Sequence, residues 1–259
     1  MKWIKYSVPF LFCILLIRTG TAEEIPVIAV AANFVPVLEE IGNKFTALTD
    51  NHVRISTGAS GTLYRQIEAG APFELFLSAD ENYVKKLYEK GLTIDNGRIY
   101  AIGILVLYIP HTSGIDYMQN TDDIILQIVH DQSSKLAVAN PDLAPYGMAA
   151  RQVLGRFTNP DKLQGREIIG ENVGQTAHYA LTGTVDAAFL PYSLVISPQM
   201  RKAGHFERIP PAWYKPIRQR MVLTKNAGTV ARAFYEYLSG NTAKQIIKKS
   251  GYSIPTIDQ

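Results

Sequence analysis

The segment that decides the fold runs from Gly58 to Asp80 and reads GASGTLYRQIEAGAPFELFLSAD. A strand-like run, Val53 to Thr57, precedes it, and small or hydroxyl-bearing residues form a turn before the pattern becomes helical. Gly70 and Pro72 break the helix, and Leu75 to Leu77 resume a strand. A strand followed by a Ser/Gly turn and a helix aims backbone N–H groups and a hydroxyl at an anion. No lysine or arginine lies in the turn, so the segment predicts a site made of neutral donors.

The N-terminus has the composition of a cleavable export signal. Lys2 and Lys5 precede an apolar run, Val8 to Ile17, and Gly20-Thr21-Ala22 supplies the small residues expected before a cleavage site. The apolar run is too short to span a membrane, although a short N-terminal anchor is an alternative interpretation. We therefore expect an exported protein whose mature part begins near Glu23.

Removal of the signal changes the charge balance of the chain. The chain has 26 basic and 23 acidic residues, and three of the basic ones lie in the signal, so 23 of each remain. This balance does not favour nucleic acid as a partner. The single cysteine, Cys13, also lies in the signal, so we expect neither disulfides nor cysteine–metal sites in the exported chain.

Short apolar runs alternate with helical periodicity along the rest of the chain. Strands are predicted at Ile25–Ala31, Val53–Thr57, Leu75–Leu77, Ile104–Ile109, Lys135–Ala139, Ile168–Ile169, Ala187–Leu190 and Gln219–Thr224. Helices are predicted over Val35–Leu48, Leu63–Ile67, Tyr83–Tyr88, Met148–Phe157, Gly174–Thr182, Thr229–Leu238 and Thr242–Lys248. The alternation predicts an α/β fold with largely parallel sheets flanked by helices.

Two segments could carry the chain between lobes. One is the apolar run Ile102–Ile109, which Pro110 closes, and the other is the proline-rich run 210–216. The predicted organisation is a signal peptide over 1–22, a first lobe over 23–108 and 217–259, and a second lobe over 109–216.

No recognisable catalytic motif is present. The turn Gly58–Thr62 lacks the Gly-x-Ser-x-Gly spacing of a nucleophile elbow. The five histidines are widely separated without His-x-x-x-His pairing, and no phosphate-binding or dinucleotide loop occurs. We predict no enzyme, no metal held by protein ligands and no cofactor. A serine esterase that uses Ser60 is the enzymatic alternative. Asp80 is interpreted as a cap for a helix that begins near Asn82.

Four predicted helices begin just after polar or small-residue turns, at Asn33, Ser60-Gly61, Pro145-Tyr146-Gly147 and Asn172-Val173-Gly174. Asn33 is predicted as an N-cap with Pro36 at the third helical position. A helix N-terminus carries unpaired N–H donors and about half a positive charge. Several such termini together would hold a dianion without a buried cation, although each could also be an ordinary cap.

The chain resembles the periplasmic molybdate-binding proteins of ABC transporters, a type II periplasmic solute-binding protein family. The stretches that carry the resemblance are AVAANF at Ala29–Phe34, GASGTLYRQIEAGAPFELFLSAD at Gly58–Asp80, ANPDLAPYG at Ala139–Gly147, GENV at Gly170–Val173 and FYEYLSG at Phe234–Gly240. The resemblance covers nearly the whole mature chain. It implies a two-lobed fold, each lobe a mixed and mostly parallel sheet, with two hinge crossings and an oxyanion bound between the lobes.

The resemblance also implies the binding residues. Asn33 and the backbone of Ala32 would contact the oxyanion from the first lobe, beside the hydroxyl and N–H of Ser60. Tyr146 would contact it from the second lobe through its hydroxyl or N–H, and Val173 through its N–H. No bond to the metal itself is implied. One branch of the family takes a tyrosine hydroxyl from the region near Leu190; here Pro191 intervenes and Tyr192 is displaced by one position.

The expected ligand is molybdate, with tungstate as a second ligand, and the expected partner is the membrane permease of an ABC transporter. The protein is expected to be a monomer. Both anions are fully deprotonated near neutral pH, so donor groups alone satisfy them and a protonated phosphate lacks an acceptor. Sulfate or chromate is the alternative ligand, and a stand-alone oxyanion sensor is the alternative function outside transport.

Overall fold

Two five-stranded sheets form the framework of the computed structural model, which describes residues 25–255. The signal peptide and the start of the mature chain predicted from the sequence lie outside the described residues. The strands are β1 Val27–Ala31, β2 Arg54–Gly58, β3 Leu75–Ser78, β4 Arg98–Gly103, β5 Leu105–Pro110, β6 Leu136–Ala139, β7 Glu167–Gly170, β8 Ala187–Pro191, β9 Gly204–Arg208 and β10 Ile217–Leu223. The first sheet has the order β2-β1-β3-β10-β4 and the second the order β7-β6-β8-β5-β9.

Helices flank both sheets. They are α1 Val35–Thr49, α2 Ser60–Glu68, α3 Glu81–Glu89, α4 Thr121–His130, α5 Pro145–Leu154, α6 Val173–Leu181, α7 Tyr192–Val195, α8 Pro198–Ala203, α9 Thr229–Ser239 and α10 Asn241–Lys249, with 3-10 turns at Ala32–Phe34, Pro160–Leu163 and Pro211–Trp213. No helix within the described range is both long enough and apolar enough to cross a membrane.

The two sheets share one pattern of pairing. In the first sheet β1 is parallel to β2 and β3, whereas β10 is antiparallel to β3 and β4. In the second sheet β6 is parallel to β7 and β8, whereas β5 is antiparallel to β8 and β9. The predicted α/β fold with two mixed sheets is therefore confirmed, and the parallel pairs are confined to three strands of each sheet.

Local sequence explains the elements of the first sheet. Strand β1 is apolar throughout and β3 is apolar except for Ser78, and both are almost fully buried, as expected for strands covered on both faces. Helix α1 buries Leu38, Ile41 and Phe45, which share one helical face. This face packs in one cluster with Phe234 of α9 and Ile247 of α10, so the last two helices complete the core of the first sheet.

The chain passes between the sheets twice. Strand β4 ends at Gly103 in the first sheet and β5 begins at Leu105 in the second, so the apolar run that the sequence presents as continuous is divided at Ile104. The return runs from β9 to β10 through residues 209–216, which include the 3-10 turn Pro211–Trp213. The lobe boundaries after residues 108 and 216 stay a prediction.

The ends of the parallel strands position the candidate site. Strands β1, β2 and β3 lead into short turns after Ala31, Gly58 and Ser78, and β6 and β7 lead towards α5 and α6. Ligands of open α/β sheets bind at the carboxyl ends of the strands.

Candidate functional site

A small cavity lies where the carboxyl ends of the strands in both sheets approach each other. The lining residues are Ala31, Ala32, Asn33, Gly58, Ala59, Ser60, Ala79, Ala144, Pro145, Tyr146, Asn172 and Val173. The structure thus brings together all five residues predicted to contact an oxyanion. No lining residue carries a formal charge.

Three helices begin at this cavity. Ser60, Pro145 and Val173 are the first residues of α2, α5 and α6. The first N–H groups of a helix have no acceptor within their own helix, and the helix dipole makes this end positive. The cavity is therefore suited to an anion although no cation lines it.

Asn172 determines which amide of α6 is available. Its Oδ1 accepts hydrogen bonds from the backbone N–H groups of Gly174 at 2.9 Å and Gln175 at 3.2 Å. These bonds satisfy the second and third amides of the helix, as an N-cap side chain does. The N–H of Val173, at the first position, is left to face the cavity.

Ser60 can donate its hydroxyl proton to a ligand. The residue is 1% exposed, and its Oγ accepts a hydrogen bond of 2.9 Å from the backbone N–H of Ala79. The acceptor side of the hydroxyl is therefore engaged within the protein, which leaves its O–H as a donor. Ser60 does not cap α2, because the residue at the cap position is Ala59.

Asn33 is not the N-cap that the sequence predicts. It lies in the 3-10 turn Ala32–Phe34, and α1 begins at Val35 with Phe34 in the cap position. The Nδ2 of Asn33 donates to Gln219 Oε1 and to the Tyr252 hydroxyl, both at 2.9 Å. Both amide hydrogens are used inside the protein, so the donor that Asn33 can offer to a ligand is its backbone N–H.

Tyr146 lines the cavity, but its hydroxyl is engaged elsewhere. The hydroxyl oxygen accepts a hydrogen bond of 3.2 Å from Gln219 Nε2, and Gln219 does not line the cavity. Burial raises the pKa of Tyr146 well above its ordinary value, and nearby Tyr252 and Tyr100 raise it further, so the hydroxyl stays protonated.

The sequence did not indicate three residues behind the cavity, namely Gln219, Tyr100 and Tyr252. All are buried, and they join Asn33 and Tyr146 in one hydrogen-bonded cluster. The only sequence signal for these residues was Gln219 itself, a glutamine at the start of a predicted apolar strand. Tyr252 lies beyond the last predicted helix, where no pattern pointed to it.

Tyr192 does not line the cavity. It begins α7, and its ring packs against Phe206 and under the guanidinium of Arg208, 4.2 Å from the ring centre. The next residue approaches the site instead, since Ser193 Oγ donates to the carbonyl oxygen of Asn33 at 3.2 Å.

The surroundings of Ser60 do not resemble an esterase site. No histidine or carboxylate lines the cavity, so no general base lies beside its hydroxyl there. Asp80 caps α3 by accepting a hydrogen bond of 2.9 Å from the N–H of Asn82, as the sequence predicted. Within residues 25–255, no group of three or more acidic, histidine or cysteine residues is arranged to hold a metal ion.

Two curated proteins resemble this chain along most of its length. The molybdate-binding protein ModA of Rhodobacter capsulatus is 35% identical over 227 residues, which cover 86% of each chain. The molybdate-binding protein ModA of Azotobacter vinelandii is 34% identical over 243 residues, which cover 93% of this chain and 94% of the relative.

Solved structures show the same architecture. The periplasmic molybdate-binding protein of Azotobacter vinelandii superimposes with a TM-score of 0.81 at 33% identity, covering 89% of this chain and 100% of that one. The sulfate-binding protein SubI of Mycobacterium tuberculosis, with a TM-score of 0.70 at 14% identity, shares the fold alone.

These matches confirm the resemblance inferred from the sequence. Residues 26–253 match the family described as "Bacterial extracellular solute-binding protein", which is not a family of enzymes. This match spans nearly all of the described residues, and the chain therefore belongs to the bacterial extracellular solute-binding proteins.

Proposed function

We propose that this protein binds molybdate, and also tungstate, in the periplasm and delivers the anion to the permease of an ABC transporter. The observation that carries the proposal is the uncharged cavity on which helix N-termini from both sheets converge. The identity to two molybdate-binding proteins supports the choice of ion.

The proposed ligand contacts are the backbone N–H groups of Ala32, Asn33, Tyr146 and Val173 together with the hydroxyl and N–H of Ser60. These groups donate hydrogen bonds, and molybdate offers only acceptors. The side-chain oxygens of Ser60 and Asn172 already accept backbone hydrogen bonds. The donor set therefore favours a fully deprotonated dianion over a protonated phosphate, which also needs an acceptor.

The two sheets correspond in this proposal to two lobes that close on the anion. The crossings at Ile104 and at residues 209–216 would act as the hinge, since short connections between packed layers absorb such motions. Closure around the anion exposes a different surface from the open state, which gives a permease a means of recognising the loaded protein. We propose that the protein acts as a monomer.

Titration calorimetry on the mature protein tests the proposal. We expect molybdate and tungstate to bind more tightly than sulfate or chromate, and each bound anion to raise the melting temperature. Ser60→Ala should weaken molybdate binding by roughly tenfold or more, because a charged acceptor loses a hydrogen bond from a buried donor. Ser56→Ala, on β2 and outside the cavity lining, is the matched control and should bind as wild type does.

Two outcomes would contradict the proposal. A wild-type protein that responds to sulfate but not to molybdate or tungstate would show that the ion is wrong. A Ser60→Ala variant that binds molybdate as tightly as Ser56→Ala would show that the assigned site is wrong.

A further inference from the structure

Gln219 is a fully buried polar residue that lies in β10, outside the cavity lining. The pairing of β10 with β4 shifts register between Gln219 and Arg220. Such an irregularity re-aims a side chain relative to a regular strand. A buried amide must also find hydrogen-bond partners on both its oxygen and its nitrogen. The partners of Gln219 therefore indicate why a glutamine stands in this strand.

Those partners come from both sheets. Gln219 Oε1 accepts hydrogen bonds from Asn33 Nδ2 and from the Tyr100 hydroxyl, each at 2.9 Å. These two residues belong to the turn after β1 and to β4, in the first sheet. Gln219 Nε2 donates to the hydroxyl of Tyr146, which lies in the first turn of α5 beside the second sheet. One amide thus joins the site residues of the two halves of the molecule.

The hydroxyl of Tyr146 reaches Gln219 through a gap at Gly103. A Cβ atom at this position would lie 2.2 Å from the Tyr146 hydroxyl and 2.9 Å from Gln219 Nε2, closer than real contacts allow. Gly103 is the last residue of β4, immediately before the chain crosses to the second sheet. The contact between Tyr146 and Gln219 is therefore located at the crossing itself.

Asn33 is held by further hydrogen bonds. Its carbonyl oxygen accepts from the Tyr252 hydroxyl at 2.7 Å and from Ser193 Oγ at 3.2 Å. Its side-chain amide is divided between Gln219 and Tyr252. With its side chain and its carbonyl oxygen both bonded inside the protein, Asn33 is held in place, and its backbone N–H, which belongs to the Ala32–Asn33 peptide, is the group left for a ligand.

We propose that Gln219 is a positioning residue for the oxyanion site and that its hydrogen bond to Tyr146 is a latch that forms when the two halves close on the ligand. This inference rests on the proposed function. The amide orients the Asn33 turn on one side and holds the first turn of α5 on the other. Neither Gln219 nor the Tyr146 hydroxyl contacts the anion in this arrangement. Loss of the latch would favour the open state and speed release of the anion.

Two substitutions test the latch. Gln219→Met keeps the length of the side chain without its hydrogen bonds, and Tyr146→Phe removes only the hydroxyl. We expect Tyr146→Phe to weaken molybdate binding about three- to tenfold, the effect of one buried neutral hydrogen bond. Gln219→Met should weaken it at least as much. Small-angle scattering should show a smaller compaction on adding molybdate to either variant than to wild type.

Tyr100→Phe is the matched control. It makes the same chemical change beside the same amide, but Tyr100 and Gln219 belong to one sheet. Tyr100→Phe should therefore lower the melting temperature while leaving molybdate affinity and compaction closer to wild type than Tyr146→Phe does. Tyr146→Phe also carries the test on its own if Gln219→Met fails to fold.

The double variant separates the latch from a direct contact. If the hydroxyl acts through Gln219, Tyr146→Phe should cost little additional affinity in the Gln219→Met background. An equal loss in both backgrounds would mean that the hydroxyl binds the anion directly, and would overturn the latch. The latch would also be overturned if Tyr146→Phe and Tyr100→Phe changed molybdate affinity and compaction equally. A wild-type protein that binds neither molybdate nor tungstate would instead overturn the proposed function, and the latch with it.

Discussion

Asp80 is a half-buried carboxyl whose ionisation opposes folding. Burial raises its pKa above the ordinary value, more than the hydrogen bond from the N–H of Asn82 lowers it. The folded protein therefore binds this proton more tightly than the unfolded chain does. Stability from this group is full below the unfolded pKa and falls as the pH rises through the folded pKa.

Asp80→Asn should remove this dependence on pH. Asparagine caps a helix about as well as aspartate, so α3 keeps its N-cap. We expect the variant to gain stability relative to wild type as the pH rises from 4 to 7, measured by urea unfolding at each pH. Asp131→Asn is a control in which the opposite effect is expected. Hydrogen bonds from Ser134 and Ser133 lower the pKa of Asp131 to about 2, so loss of this carboxylate should destabilise the protein at pH 7. A stability difference for Asp80→Asn that does not vary with pH would contradict the assignment.

The sequence predicted residues that line one cavity, but it did not predict which of their atoms are free to face it. Ser60 and Val173 follow strands and begin helices, a local pattern that a sequence displays. Asn33 looked like a cap because an asparagine before a helix usually is one. Its amide is instead taken by Gln219 and Tyr252, which are 186 and 219 residues away along the chain. No local pattern carries such contacts.

At the scale of elements, Arg166 joins the end of α4 to the start of β7. Its guanidinium donates to the carbonyl oxygens of Ile128, Val129, Asp131 and Ser134, at distances of 2.6 to 3.1 Å. The last carbonyls of a helix have no partner within it, and a cation there also complements the helix dipole. The Arg166 side chain thus supplies hydrogen bonds to carbonyl oxygens at the C-terminal end of α4 and in the loop that follows.

Arg166→Ala should lower the free energy of unfolding by about 2 to 3 kcal/mol, since hydrogen bonds to a charged group are lost and partly buried acceptors remain unpaired. Arg166→Lys should recover only part of this, because an ammonium group cannot reproduce the planar fork. Arg232→Ala is the control, as the side chain of this exposed arginine donates from Nε to the carbonyl oxygen of Ala227 at 3.1 Å. Urea unfolding of the three variants measures the loss of unfolding free energy in each, and we expect the largest loss for Arg166→Ala. Equal losses for Arg166→Ala and Arg232→Ala would show that the cap contributes little.

The sequence predicted most strands and helices, but α4, the short helices α7 and α8, and strands β4 and β9 were missed. Helix α4 has the expected signals, because Asn120 caps it and Ile124, Ile125 and Ile128 form its buried face. Strand β9 is short, partly exposed and at the edge of its sheet, so apolar burial does not mark it. Strand β4 was hidden because the chain changes sheets at Ile104 without a polar break.

At the scale of the whole molecule, the two halves also meet beside the cavity, next to its lining residues Ser60 and Ala144. The backbone N–H of Gly61, in α2, donates to the carbonyl oxygen of Leu143 at 2.9 Å. A Cβ at Gly61 would lie 2.7 Å from the Tyr83 hydroxyl and 3.1 Å from the Cα of Leu143. Leu143 belongs to the segment between β6 and α5, beside the second sheet. The absence of a side chain at Gly61 therefore permits the closed arrangement.

Gly61→Ala should hold the two halves apart without unfolding either. Alanine is a better helix former than glycine, so α2 itself is not weakened. The Tyr83 ring can turn aside, whereas the backbone of Leu143 must give by a few tenths of an ångström, which moves the second half away from the first. We expect molybdate affinity to fall by roughly tenfold, the effect of about 1.4 kcal/mol on closure, and scattering to show less compaction on binding. Gly42→Ala, inside α1, is the control, because its Cβ would meet only Val53 at an ordinary 3.6 Å. That variant should bind as wild type does. If Gly61→Ala binds and compacts equally well, this contact does not limit closure, which would then depend on other contacts between the halves.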